Sequence, residues 1–189
     1  MKALGKAYKD AEASSGGDFE RLPAGGYVVR ITEVKDDPAK EYLRVVYDIA
    51  EGEKKGFYSD QWGQEHPFAH RFVMSYKESA LGMFKGRLKA IDESNNTGFE
   101  AVAETGLQEQ ALVGRIVGVV IGYEEYMSDR GEVRERSYVR NVVAASKIRS
   151  GDYKVPELKK LAPDQLAPTM QPATAPPEGF SWDTSNTPF

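Results

Sequence analysis

Basic and aromatic side chains alternate along one segment in the last third of the chain. Arg134, Arg136, Tyr138 and Arg140 occupy every second position, so on a regular strand they project from one face. Guanidinium groups bind phosphates, and an aromatic ring between them can stack on an unpaired base. The segment therefore predicts a strand that binds nucleic acid, although a solvent-exposed strand face rich in arginine gives the same pattern.

A second group of basic and aromatic residues surrounds a Lys-Lys-Gly turn. The lysines lie at the tip of a predicted loop, and aromatic rings beside such a loop suit stacking on unpaired bases. The alternative is that the aromatic residues belong to the core and cover its edge. The candidate residues of this group are Lys54, Lys55, Tyr58, Trp62, Arg71 and Lys77.

Signals for catalysis or for a metal site are weak. His66 and His70 lie four residues apart, but on a predicted strand and without a third ligand or general base beside them, so packing or hydrogen bonding is favoured. The glycine pairs lack a phosphate-binding fingerprint, and the absence of Cys excludes a thiolate nucleophile and a Cys-ligated metal. A two-metal nuclease site assembled from dispersed carboxylates stays open as an alternative. We predict a protein that is not an enzyme and that needs no cofactor or metal.

Composition limits the compartment and the character of the surface. The 189 residues include 25 Lys and Arg against 29 Asp and Glu, a formal net charge of −4, which argues against a broadly basic surface. Residues 20–150 carry 19 basic and 21 acidic side chains, so local patches decide what they attract. The absence of Cys, of an apolar signal segment and of a membrane-length apolar stretch predicts a soluble cytoplasmic protein without membrane contact.

The chain divides into three parts. Residues 1–19 contain few large apolar side chains, which predicts a flexible N-terminal arm. Residues 20–150 form the predicted globular body. Residues 151–189 predict a disordered, Pro-rich tail, because 7 of the 10 prolines fall within 156–189 and such a segment buries too little apolar surface to offset its ordering entropy.

Strand signals dominate the body. The predicted strands cover 27–34, 42–49, 68–76, 113–126 and 133–148, with Phe68 and His70 on the apolar face of the third and Asp129-Arg130-Gly131 as the last hairpin turn. Apolar residues spaced three and four apart predict a helix over 79–91, capped by Ser79. The fold class is therefore mainly β with an inserted helix, an OB-like five-stranded barrel or curved sheet.

The last residues combine bulky aromatic side chains with negative charge. Trp182 and Asp183 precede a final Pro188-Phe189, and an aromatic residue carrying a carboxylate at the end of a tether forms a compact docking unit for an apolar pocket with a basic rim. The end of the chain, Asp183 to Phe189, resembles the tail tip of bacterial and phage single-stranded DNA-binding proteins. That resemblance implies an OB-fold body and recruitment of replication and repair proteins through Phe189, although this tip has fewer acidic residues than the family pattern.

The body is similar to a family of bacteriophage proteins encoded among replication and recombination functions and thought to bind single-stranded DNA. The matching stretches are 22–34, 42–52 and 112–118, in this order. The resemblance implies sequence-tolerant binding of single-stranded DNA in phage replication or recombination, in the cytoplasm of a bacterial host. It is compatible with a homo-oligomer. A protein-interaction module, such as a recombination mediator or an inhibitor of a host protein, is the first alternative, and a metal-dependent nuclease is the second.

Overall fold

Five antiparallel strands form one sheet. The computed structural model describes residues 21–162, apart from the side chains of Gln61 and Trp62. The predicted arm (1–19), residues 163–189 of the predicted tail and the predicted docking residues Trp182, Asp183, Pro188 and Phe189 lie outside the described residues. The strands are β1 (Gly25–Asp37), β2 (Tyr42–Ile49), β3 (Arg71–Ser75), β4 (Ile116–Met127) and β5 (Val133–Val143), and they lie side by side in the order β3-β2-β1-β4-β5.

Four helices and three short 3-10 turns complete the described chain. The helices are α1 (Gln61–Glu65), α2 (Leu81–Asn95), α3 (Phe99–Val102) and α4 (Ala145–Arg149), and the turns cover Pro67–His70, Glu78–Ala80 and Glu109–Leu112. These elements confirm the predicted fold class, mainly β with an inserted helix. No helix in residues 21–162 combines the length and the apolar character needed to cross a membrane.

The sheet is curved but not closed. Its edge strands β3 and β5 approach each other, and both contact helix α2, yet no ladder of backbone hydrogen bonds joins them in the described part of the chain. The Arg87 guanidinium on α2 instead donates to the carbonyl oxygen of Val73 on β3. The helix thus occupies the opening between the edge strands, as in the partly open barrel of an OB-like fold.

The core lies between the inner face of the sheet and α2. A register shift between Ile31 and Glu33 on β1 allows both Ile31 and Val34 to point inward. On α2, Leu88 and Ile91 are buried as predicted, whereas Leu81 is 48% exposed. The predicted cap Ser79 lies in the 3-10 turn that precedes α2, and the helix starts without a side-chain cap. The core side chains include Val29, Ile31, Val45, Tyr47, Met74, Leu88, Ile91, Val117 and Ile121.

A segment that the sequence places in the flexible tail packs on the outer face of the sheet. We call residues 152–161 the strap. The ring of Tyr153 lies against Gly26 and Pro156 lies against Gly122, where a Cβ atom on either glycine would come within 2.6 and 2.5 Å of them. The backbone of Lys159 forms a parallel bridge with Glu124 on β4. Glycine on β1 and β4 therefore leaves the room that the strap fills, and the predicted start of the tail at residue 151 is too early.

Candidate nucleic-acid interface

Three of the four residues predicted to share one face of β5 do so. Arg134, Arg136 and Tyr138 follow an unbroken ladder with β4, and Tyr138 lies opposite Gly122 on the outer face. A β-bulge then makes Arg140 the extra residue of β5, so it does not continue the alternation. The prediction of a regular strand is therefore wrong at Arg140, which is exposed.

The guanidinium groups on this face of β5 already have carboxylate partners. Arg134 pairs with Glu132 at 2.7 Å, and Arg136 pairs with Glu124 at 2.8 Å. The ammonium group of Lys159 on the strap lies 3.4 Å from the other oxygen of Glu124. Burial raises the pKa of Glu124, but its hydrogen bonds with Arg136 and Lys159 outweigh that effect and lower it below the ordinary value. A phosphate that bound here would have to displace these carboxylates.

Tyr58 belongs to the core. Its side chain is 6% exposed, and its ring stacks on the ring of His70 with centroids 4.4 Å apart. Burial raises the pKa of the Tyr58 hydroxyl. A base cannot reach this ring, so the prediction that Tyr58 stacks on DNA is wrong. Lys54 and Lys55 lie on the turns that follow β2, where Lys55 is exposed and Lys54 half-buried.

His70 is a structural residue, as the sequence favours. Its Nε2 lies 2.9 Å from the carbonyl oxygen of Gly63, and its Nδ1 contacts the carbonyl oxygen of Tyr47. The predicted third strand begins only at Arg71, because residues 67–70 form a 3-10 turn that turns this ring inward. The same turn leaves Phe68 60% exposed, so the prediction of Phe68 on the apolar face is wrong. Within the described chain, no three His, Cys, Asp or Glu side chains are placed to hold a metal ion.

The outer face of β2 and β3 also carries cationic side chains. Arg44 lies opposite Val73, and Arg71 lies opposite Val46, so the two arginines are diagonal neighbours on one face. Arg71 and Lys77, which lies two residues after the end of β3, are sequence-predicted site residues, whereas Arg44 is not. We call this surface the β2–β3 face: Tyr42, Arg44, Val46, Arg71, Val73 and Ser75.

The cations of the β2–β3 face differ from those of β5 in their partners. Among the described residues, Arg44, Arg71 and Lys77 form no ion pair. Lys35 on the neighbouring strand β1, by contrast, forms an ion pair, with its ammonium group 2.9 Å from the carboxylate of Glu33. A guanidinium without a carboxylate partner can bind a phosphate without first giving up an interaction.

Exposed apolar surface accompanies these cations. Phe68, three residues before Arg71 in the chain, is 60% exposed, and Val73 is 41% exposed. Tyr42 is half-buried, and the ammonium group of Lys40 lies 5.9 Å from the centre of its ring. Tyr42, which lies on this face, and exposed Phe68, close to Arg71 in the chain, are therefore the candidate rings for stacking. The alternation of Tyr42 and Arg44 on β2 is the signal by which the sequence could have revealed this face.

Neither the protein-family models nor the curated proteins with which the chain was compared match it.

Proposed function

We propose that the protein is a non-enzymatic, sequence-tolerant single-stranded DNA-binding protein whose β2–β3 face contacts the DNA. The observation that carries the proposal is the pair Arg44 and Arg71, two diagonal guanidinium groups without ion-pair partners in the described chain, on an outer face that also carries Tyr42. Exposed Phe68 precedes Arg71 by three residues in the chain. In OB-folds the face of the second and third strands binds oligonucleotides, and the open five-stranded sheet supports the same assignment here.

The chemistry of this face favours a single strand over a duplex. Arg44 and Arg71 interact with phosphates, which both forms of DNA present. Phe68 and Tyr42 gain contact area only from bases that are unpaired and splayed out, and each stacked base contributes about 1–3 kcal/mol. Because neither interaction reads the edge of a base, binding should tolerate any sequence.

A fluorescence-anisotropy titration with labelled oligo-dT and with a duplex of equal length tests this proposal. We expect tighter binding of oligo-dT, and an affinity that falls with salt with a log–log slope of about −0.7 for each phosphate contacted. Equal affinity for the duplex, or binding that ignores salt, would contradict the proposal. Incubating the same oligonucleotides with Mg²⁺ or Mn²⁺ tests the nuclease alternative, for which cleavage products are expected.

The role of the C-terminal residues is a separate part of the proposal. Trp182, Asp183, Pro188 and Phe189 would recruit replication or recombination proteins, and the resemblance of this tip to phage and bacterial tails supports a role in phage DNA metabolism. Deleting 187–189 should leave the affinity for oligo-dT unchanged and abolish recruitment of the partner. Loss of DNA binding in this deletion would show that the tip belongs to the DNA site instead.

A further inference from the structure

An apolar groove lies on the opposite side of the β1–β2 hairpin from the β2–β3 face. It has a volume of about 860 Å³ and runs between the hairpin, helix α2 and the segment around α3. Leu43, Leu81, Phe84, Leu88 and Leu107 line it. Leu81 is 48% exposed, so part of this apolar surface faces solvent and can be covered by another chain.

The rim of the groove is acidic. Asp36, Glu100, Glu104 and Glu109 line it, with Lys85 as the only basic residue among the described lining residues. Lys85 pairs with Glu100 at 2.7 Å, which leaves Glu104 and Glu109 without an ion pair to a described residue. An occupant that fits must combine apolar side chains with positive charge.

We propose that this groove binds residues 1–9 of a second copy of the chain. This segment contains Lys2, Lys6 and Lys9 and no acidic residue, so its charge complements the rim. Its larger side chains Met1, Leu4 and Tyr8 are spaced three and four apart, the spacing of anchors on one face of a helix bound in a groove.

The charge of the C-terminal segment excludes it as the occupant. Residues 163–189 carry Asp164, Glu178 and Asp183 and no basic residue. The acidic rim repels such a segment. The aromatic residues at the C-terminal tip are therefore left for a different partner, whereas the basic N-terminal residues match this groove.

The reach of the chain favours a second copy over the same copy. The N-terminal side of β1 is fixed by buried Leu22 and by the Arg21–Glu135 ion pair at 2.8 Å. Asp36, on the rim, lies eleven positions along β1 from Gly25, a length of at most about 36 Å along the strand. Residues 10–20 span at most about 40 Å when fully extended. Binding to the rim at Asp36 within one copy would use much of that reach, whereas binding between copies would not. Because the arm and the groove are different surfaces, two copies can exchange arms in a closed dimer, or successive copies can form open chains or rings.

Charge reversal tests the proposal in the full-length chain. Lys2→Glu, Lys6→Glu and Lys9→Glu together reverse the arm, and Glu104→Lys with Glu109→Lys reverses the groove. Sedimentation velocity should show that the average mass of the wild type rises with concentration. Either variant should associate about tenfold more weakly than the wild type, which is the combined effect of several exposed ion pairs. Mixing the two variants should restore association, because each arm then meets a groove of opposite charge.

Three results would overturn the proposal. The first is a wild type that stays monomeric up to about 100 μM, a concentration that corresponds to weak association. The second is an arm variant that associates like the wild type. The third is a mixture that associates no better than its components, which would assign the charge effect to contacts within one copy. Thermal melting of each variant checks that it is folded. DNA is absent from the assay, so its outcome is independent of the proposed function.

Discussion

Replacing Arg44 and Arg71 by alanine removes the two guanidinium groups that carry the proposed DNA contact. Neither has an ion-pair partner in residues 21–162, so the substitutions remove positive charge without exposing a paired carboxylate. Arg71 is exposed and Arg44 half-buried, and the aliphatic part of Arg44 covers some of the sheet. We expect the double variant to fold and to bind single-stranded DNA more weakly.

The size of the effect follows from counterion release. Each phosphate contact contributes about 0.7 to the slope of log K against log salt for a single strand. Two lost contacts therefore reduce the magnitude of the slope by about 1.4. If the variant and the wild type bind equally at 1 M salt, the variant should bind about 25-fold more weakly than the wild type at 0.1 M salt. Arg44→Lys with Arg71→Lys keeps both charges and should retain most of the slope.

Anisotropy titrations of labelled oligo-dT at four or more salt concentrations measure both quantities. The matched control is Arg134→Ala with Arg136→Ala, which removes two arginines that are paired with Glu132 and Glu124. We expect the control to change affinity less than about threefold, as for other exposed ion pairs. The contrary outcome is a control that loses the same affinity and the same salt dependence of binding as the Arg44 and Arg71 variant. In that case ion pairing does not prevent an arginine from binding DNA, and the assignment of the DNA contact to the β2–β3 face is wrong.

Three further predictions concern the residues that support the site. Tyr58→Ala should lower the free energy of unfolding by about 3 kcal/mol or more, as for other large buried aromatic residues, and an unchanged urea midpoint would show that Tyr58 is not a core residue. Gly63→Ala places a Cβ atom against the carbonyl oxygen of Tyr58 and should lower the free energy of unfolding by about 1–3 kcal/mol. The Cβ atom of Gly86→Ala meets open space on α2, so this control should raise the free energy of unfolding by up to about 1 kcal/mol. Equal melting temperatures of the two variants would count against the described packing. The hydrogen bond from Arg149 lowers the pKa of Glu51 below its ordinary value of 4.5. The stabilisation by this carboxylate is therefore present above its unfolded-state pKa and is lost as the pH falls through the lowered value. The melting temperature of Glu51→Gln should lie below that of the wild type at pH 7, and the difference should shrink as the pH falls below 4.5; a constant difference would contradict the role of this carboxylate.

Local signals predict the order of the five strands and the inserted helix along the chain, but not all of their ends: the fifth predicted strand, 133–148, stops at Val143, and Ala145–Arg149 form helix α4 instead. The turn at Asp129-Arg130-Gly131 joins β4 and β5 as expected, with Gly131 at a φ of +74° that favours glycine. Apolar patterns locate β1 to β4 because buried residues of these strands form a common core. β5 contains no fully buried residue, and its position is predicted from the hairpin turn. These features depend on neighbouring residues, which the sequence displays directly.

The candidate site depended on contacts that no local pattern contains. The direction of Phe68 follows from the 3-10 turn of residues 67–70, and that turn is held because His70 meets the carbonyl oxygens of Tyr47 and Gly63. The partner of Arg136 is Glu124, twelve residues away on β4, and their pairing is fixed by strand register. Arginines that look alike in the sequence therefore differ in what they are free to bind.

Opposite charges on the two sides of the β1–β2 hairpin make the net charge of −4 compatible with both proposals. Neighbouring positions on β2 point in opposite directions, so Arg44 faces outward on the β2–β3 face while Leu43 faces the groove. Glu104 and Glu109, which form no ion pair with a described residue, lie on the groove side, and the sheet separates them from the proposed phosphate contacts. If both proposals hold, a second copy can dock on one side of the sheet while DNA occupies the other. The two contacts would then reinforce each other, because neighbouring copies on one strand raise the local concentration of arm and groove.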